Sequence, residues 1–506
     1  MKDDGSYRQI LRSSSIIGGA SVINIVIGLL RIKMAAALLG PAGIGLIGLL
    51  TTLASTASTV AGLGFGNVGT RQIAEAAGKQ DAAAMAAARR ALFWGSLVLA
   101  FCGAAVFWLL RNVFAVHVLG DVSLSNDLGW LALAVALTVA SASQTALLNG
   151  MRQIGDLARV SVLSALLSTL LGVSALMLWG RGGLITFVIA APLASFLLGH
   201  VYVARLPKID APRTPMLILV EQWTVLAKLG AAFMVAGLAV ILGQLAVRIL
   251  VQQQLGLDAL GFYQAASAIS MTYIGFVLTA MGTDYYPRLT AVIHDQAAVN
   301  RMVNEQTEVA LLLVGPIILA MIGLAPWVIE LLYASSFHPA TDILRLQVLG
   351  DLLKICSWPL GFVILAAGHG RNFMVTEGLA TMTFVMVAWL LLPKLGLVGS
   401  ALAYVCMYVV YLPMVFMVST RIIDFRWGNR VLVHAVVLLV AASILMFVAS
   451  WSSKIAAVLS ICGVITFTLY GLGRLAEAVN MPGVVGDVAE LSRKIISKLG
   501  VVCVRR

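Results

Sequence analysis

The chain has 506 residues, of which 60% are hydrophobic and only 11% charged, and its mean hydropathy is +0.99. So few charges cannot cover a water-facing surface, which excludes an ordinary soluble domain and indicates a polytopic membrane protein. The net charge of +12 would suit a nucleic-acid binder, but its placement along the chain supplies another reason for it.

Apolar stretches fall near 14–37, 41–66, 91–110, 128–148, 158–178 and 184–203, and again near 229–251, 259–281, 309–332, 344–367, 373–393 and 396–420. Two more follow at 431–450 and 455–473. Each is close to the ~20 residues that cross a hydrocarbon core. The first stretch carries Asn24 and Arg31 and lacks a convincing small-residue exit, so it reads as a span and not as a cleavable signal. Fourteen spans put both termini on one side, and the basic residues mark that side as cytoplasmic. It collects Lys2, Arg8, Arg12, Arg71, Lys79, Arg89, Arg90, Arg152, Arg159 and their later counterparts, 25 of the 34 basic residues in all. A positive inner face accounts for the charge without nucleic acid. Cys102, Cys356, Cys406 and Cys462 fall inside spans and Cys503 in the tail, so neither a disulfide framework nor a metal-binding spacing is expected.

The chain repeats itself. LLGPAGIGLIG (Leu38–Gly48) aligns with QLGLDALGFYQ (Gln254–Gln264), which puts Gly40 against Gly256 and Gly45 against Gly261. Upstream, Arg31 lies 217 positions before Arg248. The connection after span two matches Arg71 with Arg288 after span eight, and LLNGMRQIG matches LAAGHGRNF, with Arg152 near Arg371. Two halves of six spans in one orientation make a parallel repeat, its pseudo-twofold along the membrane normal. The expected organisation is an N-lobe at 1–207, a cytoplasmic linker at 208–228 containing Pro212 and Pro215, a C-lobe at 229–428, and an addition at 429–506.

Ionisable residues inside spans are costly and need a reason. Arg31 and Arg248 sit about 10 Å below the outer surface at 1.5 Å per residue. A guanidinium stays charged and presents a fork of donors that fits phosphate oxygens; the plainer alternative is a long side chain snorkelling to outer headgroups. On span ten, Asp351 and Lys354 share a helix face at i, i+3. They either neutralise each other as a structural pair, or Asp351 takes up a proton or sodium ion while Lys354 meets an anion. Asp284, Tyr285, Tyr286, Pro287 and Arg288 form a charged, aromatic cluster at the inner end of span eight. That cluster is an interfacial belt or a cytoplasmic gate closing near Arg71. Glu377 is a weaker candidate for gating or sugar contact.

The doubled glycine segments resemble the signature of the multidrug/oligosaccharidyl-lipid/polysaccharide exporter superfamily, over about residues 10–420. Within that range, MGTDYYPRLTAVIHD (Met281–Asp295) and LRLQVLGDLLKICSWPLGFVILAAGHGRNF (Leu344–Phe373) are similar to Wzx-type translocases of O-antigen and enterobacterial common antigen. The resemblance implies an all-α polytopic protein of two six-helix lobes around a central cavity, here with two extra C-terminal helices. It also implies alternating access for an undecaprenyl-pyrophosphate-linked oligosaccharide in the bacterial inner membrane, with coupling to H+ or Na+, no cofactor and no catalytic residue. Membrane lipids, a glycan polymerase and chain-length machinery are the implied partners. In that frame Arg31, Arg248 and Lys354 bind pyrophosphate, while Asp351, Asp284, Arg288 and Arg71 serve coupling or gating. Rival readings are a lipid II flippase and a cation-coupled multidrug antiporter, the latter needing carboxylates where spans one and seven carry arginine. A glycan polymerase or ligase would need a large outer segment with a nucleophile, and the outer loop Arg111–Asp127 has no recognisable one.

Overall fold

The computed structural model describes residues 4–79, 81–120, 122–207 and 216–479. Residues 208–215 of the expected linker and the tail from 480, including Cys503, lie outside the described residues. Among the described residues the chain is helical throughout, with no strand. The first helices are α1 (Asp4–Gly62), α2 (Phe65–Lys79), α3 (Ala82–Leu109), α4 (Arg111–Phe114), α5 (Ser125–Gly150), α6 (Ile154–Trp179) and α7 (Leu184–Ala204). There follow α8 (Met216–Val292), α9 (Gln296–Gly323), α10 (Ala325–Leu332), α11 (Ala340–Ala366), α12 (Gly370–Leu395), α13 (Leu397–Ile423), α14 (Asn429–Trp451) and α15 (Ser453–Val479). Eleven described stretches are long and apolar enough to cross a membrane. Three of them, of 47, 51 and 46 residues, have double length, so the set accommodates fourteen crossings.

The repeat extends to the helix caps. Asp81 accepts the N–H groups of Ala83 and Ala84 at 3.0 and 2.9 Å to start α3, and Asp295 accepts that of Ala298 at 3.0 Å to start α9. Both carboxylates open the helix that follows the connection after a copy's second span.

Two compact units emerge, one formed by Met1–Gln264 with Leu332–Ser336, the other by Ala265–Leu331 with Phe337–Arg506. The boundary between these units falls inside the second copy, after its glycine segment. In the first unit α5 packs against α1, α2, α3 and α7, and α6 against α1 and α7. The amphipathic α2 buries Phe65, Val68, Ile73 and Ala76 and leaves Arg71 and Glu75 exposed.

The glycine segments explain why α8 begins in the first unit. Both α1 and α8 are bent, at Gly40 (φ 66°, ψ −168°) and Gly256 (φ 87°, ψ 178°). Pro41 follows the first bend but Leu257 follows the second, so the bend belongs to a glycine-only conformation and not to proline. Just beyond it the two helices cross backbone to backbone. A Cβ on Gly45 would lie 2.6 Å from the Leu257 carbonyl oxygen, and one on Gly261 would strike the Pro41 carbonyl. Each copy's signature is therefore the packing surface of the other.

In the second unit α11 is the most enclosed span, bordered by α9, α12, α13 and α14. At its head the buried Arg345 donates Nε to the Ile322 carbonyl at 3.0 Å and Nη1 to Asp342 at 3.3 Å. A cation there satisfies one of the orphan carbonyls ending α9. The two additional helices, α14 and α15, are built into this unit. Ser460 donates to the Leu319 carbonyl at 2.7 Å, and Gly315 leaves room for Phe467 and Leu438. Glu308 of α9 accepts from Arg474 of α15 at 3.4 Å and lies 4.0 Å from His434 Nδ1 of α14, whose Nε2 is 2.8 Å from the Tyr470 hydroxyl. Glu308→Ala should lower stability by about 1–3 kcal/mol, by leaving the guanidinium and imidazole without their carboxylate. The check is the thermal midpoint in detergent, with Glu308→Gln expected to lose less.

Candidate functional site

Arg31 lies nine residues before Gly40, whereas Arg248 lies eight before Gly256. One residue of stagger turns a helical side chain by about 100°, so the two arginines face different neighbours. Arg31 reaches the α6–α7 side of its unit. Its Nη1 donates to Ser168 Oγ at 3.3 Å, its Nη2 to the Phe187 carbonyl at 2.6 Å, and the guanidinium stands 4.2 Å over the Phe187 ring. Seven residues earlier, Asn24 donates to Ser161 at 2.6 Å, so α1 and α6 share a polar seam at heptad spacing. Arg31 Nε is buried with no hydrogen-bond partner. Arg248 turns instead toward its own bent helix. Its Nε donates to Gln264 Oε1 at 3.0 Å and its Nη1 to the Gln244 carbonyl at 3.4 Å. Gly48 makes the space that Gln264 occupies. With 6% exposure, Arg248 does not snorkel. Among the described residues, neither arginine has a carboxylate within ion-pair distance.

The second unit carries a polar chain along α11. Asp351 is fully buried and satisfied by three hydroxyls from two other helices. Ser270 and Tyr273 donate to Oδ2 at 2.6 and 2.5 Å, and Tyr404 donates to Oδ1 at 2.8 Å. Hydroxyl donors thus occupy both oxygens of the Asp351 carboxylate, and Lys354 is a neighbouring charge with no ion pair to it among the described residues. Lys354 stands 5.9 Å from the centre of the Tyr408 ring, with Asp351 and Glu377 as its neighbouring carboxylates. Glu377 accepts from Tyr411 at 2.5 Å, and Gln347 donates to Ser267 at 2.9 Å. Tyr404, Tyr408 and Tyr411, at i, i+4 and i+7 of α13, therefore mark out the row Asp351–Lys354–Glu377. Sequence reasoning missed these tyrosines because an apolar span absorbs aromatics without comment. Their helical spacing within AYVCMYVVY was the available signal. Chemically, the row holds two carboxylates and one ammonium in a low-dielectric interior, with exchangeable hydroxyls against both carboxylates.

The expected gating residues sit in pairs within their own helices. Arg288 meets Asp284 at 3.0 Å and Arg71 meets Glu75 at 2.8 Å, all exposed. The Arg71 hydrogen bond and charge hold the Glu75 carboxyl below its ordinary range. Exposed pairs of this kind contribute little to stability. Tyr285 is buried, donates to the Pro359 carbonyl at 3.2 Å and stacks at 5.9 Å on Trp358, whereas Tyr286 is 38% exposed. No group of metal-ligating side chains occurs among the described residues.

A multi-pass helical chain with cations and carboxylates inside its spans has the make-up of a membrane transporter. Residues 34–342 match the family of polysaccharide biosynthesis proteins, and the chain belongs to that family. A relative is the lipid III flippase of Escherichia coli (strain K12), 25% identical over 411 residues that cover 79% of this chain and 96% of the relative. Among solved structures, the lipid II flippase MurJ in an inward closed conformation aligns with a TM-score of 0.65 at 13% identity, covering 90% of this chain and 98% of that one. An inward-facing multidrug resistance MATE family transporter aligns with a TM-score of 0.64 at 16% identity, covering 80% and 98%. At such identities these structures establish the fold alone. With eleven described stretches long and apolar enough to cross a membrane, the protein is a multi-pass helical membrane protein.

Proposed function

We propose that the protein flips an undecaprenyl-pyrophosphate-linked oligosaccharide, an O-antigen or related surface-glycan repeat unit, from the inner to the outer leaflet. The observation that carries this reading is that the half-buried Arg31 and the buried Arg248 have no carboxylate partner among the described residues. Uncompensated cations in a low-dielectric region favour an anionic passenger, and a pyrophosphate supplies dispersed negative charge for guanidinium forks. The lipid III flippase relative, matched over 96% of its length, supports a lipid-linked glycan over a cationic drug. In this reading Arg31, Arg248 and Lys354 bind the pyrophosphate, and two lobes expose the site alternately to each side. The polyprenyl tail stays in lipid throughout. Both termini lie in the cytoplasm, where Asp284, Arg288 and Arg71 exchange partners as the inner side closes. Asp351 carries the coupling to H+ or Na+.

Arg31→Ala and Arg248→Ala should each weaken binding of undecaprenyl pyrophosphate about ten- to a hundredfold and stop export, while membrane insertion is retained. Lysine at either position should preserve part of the activity. Wild-type export by folded alanine variants would remove both residues from the substrate site. Depletion in cells distinguishes the passenger: loss of surface glycan is expected, and loss of cell-wall synthesis would redirect the assignment to lipid II.

A further inference from the structure

Lys354 begins an aromatic strip. The side of α11 that its neighbours leave partly open carries Lys354, Trp358 and Phe362, one helical turn apart. The Trp358 and Phe362 ring centres are 4.7 Å apart, and Tyr286 joins them 5.5 Å from Phe362. Beneath the strip, the buried Tyr285 supports Trp358, and the lack of a side chain at Gly282 admits the indole, since a Cβ there would lie 3.1 Å from the Trp358 ring. Trp358 is therefore held in place from below. Its indole N–H has no hydrogen-bond partner among the described residues, and the half-open ring is not among the groups buried unsatisfied.

An interfacial anchor would need only rings at the rim of a lipid-facing helix. Here two of the rings stand on the most enclosed span of the unit, in file behind a cation. Rings that present an apolar face and free N–H or O–H donors at their edges match the two-sided chemistry of a sugar. A pyranose offers C–H groups on its faces and hydroxyls around its rim.

We infer that Trp358, Phe362 and Tyr286 form a glycan-binding track, which receives the saccharide of the passenger while Lys354 meets its pyrophosphate. The track rests on the flippase reading above and deepens it by naming where the sugars bind. Two probes separate them, undecaprenyl pyrophosphate without sugar and the same lipid carrying one N-acetylglucosamine, each titrated against the purified full chain in nanodiscs. Wild type should bind the sugar-bearing lipid more tightly. Trp358→Ala should erase that difference, and Tyr286→Ala, at an exposed position that does not endanger folding, should reduce it. Trp358→Ala should lower affinity for the sugar-bearing probe by about tenfold and Tyr286→Ala by less, and both should leave the sugar-free probe unchanged. Trp358→Phe, which keeps a ring but not the N–H donor, should fall between. Equal loss for both probes would make the rings structural and overturn the track, as would no loss for either. If wild type binds neither lipid, the flippase reading fails with it; if it binds both equally well, only the track fails.

Discussion

Asp351→Ala is expected to unfold the second unit at markedly lower temperature, with a loss of about 3–5 kcal/mol, because the buried Ser270 and Tyr404 and the half-buried Tyr273 lose their common acceptor. Asp351→Asn keeps the shape and one carbonyl oxygen, and should cost no more than about 1–2 kcal/mol. The two variants separate stability from coupling. If transport is driven through this carboxylate, the asparagine form should fold yet move a lipid-linked substrate in proteoliposomes without responding to an imposed H+ or Na+ gradient. An asparagine variant that follows the gradient as wild type does would leave Asp351 a purely structural acceptor. Tyr404→Phe tests the same network from its other side. It removes a single donor, so a loss of about 1–2 kcal/mol with transport retained is expected.

The glycine crossing carries the second large effect. Gly261→Ala should cost about 3 kcal/mol or more, because the new methyl group meets the rigid Pro41 carbonyl and backbone cannot yield as a side chain can. Gly256→Ala should cost about 1–3 kcal/mol from backbone strain alone, since nothing crowds its Cβ position. Gly275 is the control, being helical with open space around its Cβ position, and alanine there should be neutral or stabilise by up to about 1 kcal/mol. Thermal midpoints and monodispersity in detergent rank the three. If Gly261→Ala behaved like Gly275→Ala, the close crossing of α1 and α8 would be untenable.

Much of this arrangement was legible in the residues, though not its meaning. The alignment of Gly40 with Gly256 and of Gly45 with Gly261 is plain in the sequence, but only the fold reveals that one pair bends the helices and Gly45 and Gly261 let them touch. Pro41 invited a proline explanation for the first bend, and the second copy, with Leu257 in its place, rules that out. The one-residue stagger between Arg31 and Arg248 was also visible, yet its consequence depends on which neighbours stand 100° apart around the helix. The i, i+3 spacing placed Asp351 and Lys354 on one helix face, but it could not show what surrounds the carboxylate. The true donors to Asp351 lie 78–81 residues before it and 53 after.

Hydropathy acts on each segment locally, so the linear order of residues suffices to choose helix, bilayer and approximate span, and charge asymmetry suffices to suggest orientation. Within lipid, however, one apolar helix face packs nearly as well as another, because lipid tails are as apolar as leucine and no hydrophobic gain favours a particular neighbour. Steric fit at glycines and the pairing of a few polar groups decide which helices meet. Those terms join residues far apart in the chain, such as Gly45 with Gly261, Asp351 with Tyr404, and Glu308 with Arg474, and they exist only once the helices are assembled.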